Sequence, residues 1–264
     1  MGDVEIRVAT DDDFEPMVRL DGLAFGWTWP PEQHETLREL IDLDRFRVAV
    51  DAGRIVGVAG AYTQEVTVPG GALVPNGGVT WVAVAPTHSR RGILRRLMAE
   101  LHRDVDARGE PIAMLTASEG GIYERFGYGV ACHLRVVEID RRRAQLRPEF
   151  RPEPGSVQPV DPDDPRLPEI FDRYRRTRVG EIGRSPVDER LFRLHEGAGL
   201  TGAIHADGFA LWKLEAKWNR GHPAHQLTLH DVVALTPEAH AALWHTVLSV
   251  GLVGPITSYR AVAL

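Results

Sequence analysis

The run Val82-Ala83-Val84-Ala85-Pro86-Thr87-His88-Ser89-Arg90-Arg91-Gly92-Ile93-Leu94-Arg95 sets a small-residue, cationic loop between an extended apolar stretch and the start of a helix. The first N–H groups of a helix have no partner within it and carry a partial positive charge, so they suit an anion such as a pyrophosphate. Arg90, Arg91 and Arg95 add full charges, and Gly92 permits close approach to the backbone. The same residues also fit a plainer description, a capped surface turn whose arginines are solvated. Other clusters carry less chemistry. His222, His225 and His230 lack a Cys or carboxylate at a metal-ligand spacing, and Pro223 marks a loop, so no metal is expected. Arg141-Arg142-Arg143 reads as a solvated charge run. Cys132 and His133 are neighbours in an extended stretch, which sends their side chains to opposite faces and argues against a nucleophilic pair.

The elements that must position this loop follow from periodicity. Val4, Ile6 and Val8 alternate with polar residues as a strand does, and Thr10 ahead of Asp11, Asp12 and Asp13 predicts a helix start. Residues 46–50 and 55–62 are strand-like and flank Asp51-Ala52-Gly53, a hairpin turn. A further strand pair surrounds Pro69-Gly70-Gly71, its second member running through 79–85 until Pro86 stops it. From Ile93 the residues Leu94, Leu97, Met98, Leu101 and Val105 recur at helical spacing, and Gly109 with Pro111 closes the helix. Residues 112–117 then return as a strand, which makes a βαβ unit with parallel strands and a right-handed crossover. Another strand is expected over 130–139.

Pro148, Pro152, Pro154, Pro159, Pro162, Pro165 and Pro168 mark a linker. Beyond it, helices are expected at 167–176 and 187–195, and strands at 209–214 and 227–235. Thr236 caps a helix with Pro237 in its first position and an apolar stripe of Leu243, Trp244, Val247 and Leu248, before a strand over 256–264. The expectation is therefore an α/β chain of two similar lobes, each a mixed sheet with one βαβ unit, the second lobe incomplete. The boundaries read as 1–147 for the first domain, 148–168 for the linker and 169–264 for the second.

Composition limits the partners. A length of 264 residues allows two cores, and 43% hydrophobic with 26% charged residues is ordinary for a folded globular chain. A formal net charge of −6 argues against broad nucleic-acid binding, which needs a cationic surface. One cysteine excludes an internal disulfide framework. The acidic start and the lack of a long apolar run predict neither a signal peptide nor a membrane span, hence a cytoplasmic protein without membrane partners.

The segment from Val82 to Arg95 resembles the coenzyme A loop of the GNAT acetyltransferase superfamily, which reads Arg/Gln-x-x-Gly-x-Gly/Ala after a strand and a proline-containing turn. With Gly92 as the central glycine, Ser89 and Leu94 depart from that pattern. Ser118-Glu119-Gly120-Gly121-Ile122-Tyr123-Glu124-Arg125-Phe126-Gly127-Tyr128-Gly129 resembles a narrower group, the enhanced intracellular survival (Eis) acetyltransferases, which also carry leucine in the slot of Leu94. The likeness continues through Ala83-Val84-Ala85-Pro86-Thr87-His88 and Ala99-Glu100-Leu101-His102, and more weakly through Ala241-Ala242-Leu243-Trp244.

That resemblance implies tandem GNAT-like lobes and acetyl-coenzyme A as co-substrate, with no metal. It implies that the backbone of Val82, Ala83 and Val84 pairs with the pantetheine arm, and that Arg90, Arg91, Gly92, Ile93, Leu94 and Arg95 hold the phosphates. Ser118 and Glu119 would lie near the thioester, where the two parallel strands must part, and a backbone N–H near Val84 would polarise its carbonyl. Tyr123 takes the place of the family's general acid, a role open to a phenol that is protonated at neutral pH, while Tyr128 reads as a packing residue.

The acceptor implied is a primary amine of a small molecule or peptide, aminoglycoside-like or lysine-like, and the assembly a homo-oligomer, a hexamer. Phe25, Trp27 and Trp29 are candidates for one wall of the acceptor pocket. Eis enzymes use the carboxylate of their own C-terminus as base, reached through a third domain that this sequence lacks, so Leu264 is not expected to inherit that role. A missing segment, a water chain or Glu119 remain as sources of a base. The second lobe's equivalent turn, Leu235-Thr236-Pro237-Glu238, lacks glycine and arginine, which points to an architectural role. The rival reading is a non-catalytic acyl-coenzyme A sensor or scaffold.

Overall fold

A computed structural model describes residues 4–133, 135–196 and 199–258. Its elements in chain order are β1 (Glu5–Val8), α1 (Phe14–Phe25), α2 (His34–Leu40), β2 (Phe46–Asp51), β3 (Arg54–Thr67), β4 (Leu73–Val84), α3 (Ile93–Ala107) and β5 (Ile112–Met114). There follow β6 (Val137–Asp140), β7 (Gln158–Val160), α4 (Arg166–Arg175), α5 (Pro186–Glu196), β8 (Leu200–His205), β9 (Gly208–Glu215), β10 (Trp218–Asn219), β11 (His222–Pro223), β12 (His225–Ala234), α6 (Pro237–Leu248) and β13 (Val253–Ser258). Contacts gather the chain into two compact units. One takes the residues through Val130 together with Ile182–Leu194; the other takes Ala131–Glu181 and the chain from His195 onward.

In the first unit, five strands lie in the order β1-β2-β3-β4-β5. The first four pair antiparallel in succession, whereas β4 and β5 are parallel and joined through α3, as the spacing of Ile93 to Val105 predicts. Alternation along the strands divides the core between the sheet's two faces. Phe46, Val48 and Val58 pack with Phe14, Met17 and Val18 of α1, while Ala49, Val56 and Ala59 pack with Leu97, Met98 and Leu101 of α3. Gly77 of β4 lets α3 approach, since a Cβ there would lie 2.8 Å from Val105 and 3.1 Å from a Glu110 carboxylate oxygen.

That glutamate belongs to a buried ion pair. Arg45, 1% exposed, sits in the turn ahead of β2 and donates Nη1 and Nη2 to the two Glu110 oxygens at 2.7 and 2.5 Å. It also donates to Thr63 on β3. The pair ties the entry of β2 to the entry of β5 beneath the sheet.

The second unit is a six-stranded sheet in the order β6-β13-β12-β9-β8-β7, with a small separate hairpin of β10 and β11. Here β12, α6 and β13 form the second βαβ unit, with parallel strands. Thr236 caps α6 by accepting from the Ala239 N–H at 3.1 Å, and Pro237 opens the helix.

Three sequence expectations need correction here. The strand expected over 130–139 is confined to β6, and β6 pairs with β13 in the second sheet. Val130 and Val136 are 76% and 59% exposed, so these two apolar side chains give a strand no buried face. Within the proline-rich segment, β7 pairs with β8 at the sheet margin, where Pro159 is tolerated because an edge strand keeps one side unpaired. The last strand runs from Val253 to Ser258, and residues 259–264 lie outside the described ones.

Two buried charges yield measurable expectations. Glu110→Gln leaves the Arg45 guanidinium without its counter-charge and is expected to cost about 3–5 kcal/mol, while Arg45→Met combined with Glu110→Leu recovers most of that loss. Urea unfolding of the single and double variants tests this, and equal losses in both would refute the coupling. Asp21 on α1 is 1% exposed and accepts from Trp27 Nε1 at 3.0 Å. Burial pushes its carboxyl up from 3.8 to about 6, against the opposing Trp27 bond. An acid whose folded pKa is raised binds more protons folded than unfolded, so stability falls as pH rises from about 4 to 6 and is level above. Between pH 4 and 7, Asp21→Asn is expected to gain roughly 2–3 kcal/mol relative to the parent, measured by denaturant melts at each pH.

Candidate functional site

The register of β4 is where the sheet opens. Its pairing with β5 is confined to Asn76, Gly77 and Gly78, opposite Ile112, Ala113 and Met114. Beyond them β4 runs on to Val84 with β3 along one edge and, among the described residues, no strand along the other. Opposite Ala59 the chain inserts an extra residue, because Val58 faces Ala83 and Gly60 faces Thr80. This β-bulge puts Trp81 at φ 52°, in the left-handed region that a bulky side chain avoids. Packing holds it there: the Trp81 ring meets Phe46 edge-on at 5.5 Å, and its Nε1 donates to Tyr62 Oη at 3.3 Å.

Past the bulge, the Ala85 N–H donates to Val56 O on β3 at 2.9 Å. Strand alternation therefore turns the Val84 N–H toward the open edge. Val82, Ala83 and Val84 thus lie on the unpaired margin, and an extended, amide-bearing chain laid there would complete the ladder.

A short turn at Pro86–His88 follows, and then the cationic loop. Arg90 and Gly92 both adopt left-handed conformations, at φ 61° and 76°, and Gly92 is the residue before α3. No side chain caps the first turn of α3. Its free N–H groups and helix dipole stand in the same stretch as the exposed Arg90 and Arg95, a composition suited to phosphate oxygens. Ile93 is 2% exposed and Leu94 packs against the same core, so these two residues offer the loop their backbone alone.

Arg91 has a different task. Its Nη1 donates to Asp51 Oδ2 at 3.1 Å, and His88 Nε2 lies 3.0 Å from the same oxygen. Asp51 ends β2, so the loop is pinned to the β2–β3 hairpin. The His88 and Arg91 bonds hold the Asp51 carboxyl below its ordinary range.

After β5, Ser118 and Glu119 are exposed, and Tyr123 falls between two single turns, Gly120–Ile122 and Glu124–Phe126. Tyr123 is half-buried, with the ring of Tyr128 edge-on at 5.9 Å. Burial, and then the Glu119 charge, push the Tyr123 hydroxyl pKa upward, so it keeps its proton throughout the neutral range. Tyr128 is more than packing. Its Oη lies 3.0 Å from His102 Nε2 on α3, and burial pushes its pKa to about 12 while lowering that of His102. With the phenol protonated and the imidazole neutral, Tyr128 donates and His102 accepts. The sequence shows His102 only as the residue after Leu101 on the apolar stripe of α3; nothing local pairs it with a tyrosine 26 positions on.

Residues 5–131 match one model of an acetyltransferase (GNAT) domain, and residues 163–263 match a second. The N-acetyltransferase Eis of Mycobacterium tuberculosis is 35% identical over 257 residues, covering 90% of this chain and 62% of its own length. An N-acetyltransferase of Streptomyces avermitilis is 34% identical over 275 residues, covering 94% of this chain and 64% of the relative. The crystal structure of Eis1 from Mycobacterium abscessus superposes with a TM-score of 0.81 at 32% identity, covering 99% of this chain and 67% of that one. The chain thus spans a little under two thirds of the length of the curated relatives it matches. By sequence and by fold, the chain belongs to the GNAT acetyltransferase superfamily and, within it, to the Eis N-acetyltransferase family.

Proposed function

We propose that this chain transfers an acetyl group from acetyl-coenzyme A to a primary amine of an aminoglycoside-like or lysine-like acceptor, with the first compact unit as the catalytic domain. The observation that carries the reading is the open edge of β4 beside the uncapped start of α3. These features fit the co-substrate in order, a strand margin for its amide-bearing arm and a cationic helix start for its phosphates.

When bound, acetyl-coenzyme A supplies the acetyl group as an activated thioester. Val82, Ala83 and Val84 orient it through their backbone, and the Val84 N–H is the candidate donor to the thioester carbonyl. Arg90 and Arg95 balance phosphate charge, while Arg91, bonded to Asp51, sets the loop's shape. Ser118 and Glu119 border the end of the open edge. Tyr123 holds at Oη the proton that the departing sulfur needs, and Tyr128 with His102 fixes the ring beside it. An acceptor amine must be neutral to attack the thioester carbonyl, and it gives up one N–H proton as the C–N bond forms and the C–S bond breaks, so a group must take that proton. Glu119 is the candidate, since it is the carboxylate whose charge already reaches the Tyr123 hydroxyl.

The test is acetyl-coenzyme A turnover over a panel of aminoglycosides and lysine peptides, followed by thiol release. Tyr123→Phe is expected to lower kcat by about 10²- to 10³-fold with the Kd for acetyl-coenzyme A unchanged. A parent that binds the co-substrate tightly but turns over none of the panel would support the sensor reading instead. Arg90→Ala combined with Arg95→Ala is expected to raise the KM for acetyl-coenzyme A about tenfold with little change in kcat, and the difference should shrink in high salt. Steady-state kinetics at two ionic strengths measure it, and an unchanged KM would remove both arginines from the site.

A further inference from the structure

The second unit carries a concentration of positive charge that acetyl transfer does not use. Across a chain of formal net charge −6, Arg141, Arg142, Arg143, Arg147 and Arg151 crowd one short segment, relieved there only by Glu149. This segment leaves β6 and passes the C-terminal end of α6. A cavity of about 380 Å³ opens between them, lined by Arg141, Arg142, Arg151 and His245, with Leu146 and Leu248 as an apolar wall.

Cations are drawn to a helix C-terminus by its exposed carbonyls, and one arginine meets that need here. Arg141 Nε donates to Leu248 O at 2.9 Å. The remaining charges exceed it. Arg142 comes only within 3.6 Å of Asp140, and Arg151 forms no ion pair among the described residues. Three guanidinium groups around one concavity leave a surplus of positive charge. A monocarboxylate would balance one charge; a phosphate or pyrophosphate balances two or more and matches the guanidinium fork. The volume is at the small end of the roughly 300–1,000 Å³ typical of ligand sites.

We propose that this cavity is an anion site for a phosphorylated small molecule, held by Arg141, Arg142 and Arg151 with its organic part against Leu146 and Leu248. The proposal does not depend on the acetyltransferase reading.

Pyrophosphate also suits the loop before α3, so the intact chain is titrated calorimetrically on an Arg90→Ala, Arg95→Ala background at low ionic strength. One pyrophosphate site is expected to remain, to weaken about tenfold or more when Arg142→Ala and Arg151→Ala are added, and to bind glutarate at least about tenfold more weakly. Both arginines are exposed, so the melting temperature should hold; Arg142→Lys with Arg151→Lys, which keeps the charge and loses the fork, should fall between. The proposal is overturned by no binding on the background, by an affinity indifferent to Arg142 and Arg151, or by glutarate binding as tightly as pyrophosphate.

Discussion

The parting of β4 from β5 after three paired residues is the constraint on which the rest of the first unit depends. A strand that loses its neighbour leaves N–H and C=O groups that need some partner, whether water or a ligand. The chain goes to some length to keep that margin open. The bulge at Trp81 holds a bulky residue in a left-handed conformation, a strain on the order of 1–3 kcal/mol that only surrounding structure can sustain. Phe46 on β2 and Tyr62 on β3 brace the indole. At the other end, Gly77 and the Arg45–Glu110 pair set where β5 begins. Strain, close packing and a buried charge pair thus all serve one geometric result.

Helix α3 converts that opening into a candidate site. Its apolar stripe fixes its rotation against the sheet, so everything else it carries is placed by the same packing. Its first turn presents the uncapped N–H groups, with the loop locked to the β2–β3 hairpin through Asp51. Nine residues on, about 14 Å along the axis at 1.5 Å per residue, His102 meets Tyr128 and thereby the segment that holds Tyr123. One rigid element therefore spans the distance between anion loop and candidate acid.

The sequence made legible what local chemistry decides. The hairpin at Asp51–Gly53, the span of α3, both βαβ crossovers and the Thr236–Pro237 cap rest on turn propensities and apolar spacing, and the structure contains each. The cationic loop was legible for the same reason, since Gly92 and the arginines are adjacent in the chain. What stayed hidden depends on partners far away in sequence. β6 is a strand because β13 lies beside it, more than a hundred residues later. Arg91 looked equivalent to Arg90 until Asp51, 40 positions earlier, bonded to it. The Trp81 bulge follows from register across β3, and the His102–Tyr128 bond from where α3 happens to rest; neither leaves a local mark.

The two crossovers show how one topology separates into different tasks. Both run strand, helix, parallel strand, and both place a helix N-terminus at the top of a sheet. At α6 the Ala239 N–H donates to the Thr236 hydroxyl, Pro237 removes one donor outright, and Glu238 adds a negative charge in the first turn. An anion approaching there would find the dipole already answered. At α3 no side chain caps the helix, glycine replaces the capping threonine, and arginines stand on either side of it. The difference amounts to a few residues in a turn, because a helix start is stabilised either by its own side chain or by something brought to it. A chain that leaves one such turn open within a folded lobe retains a standing preference for an anion at that point, and a lobe that closes the turn is free of it.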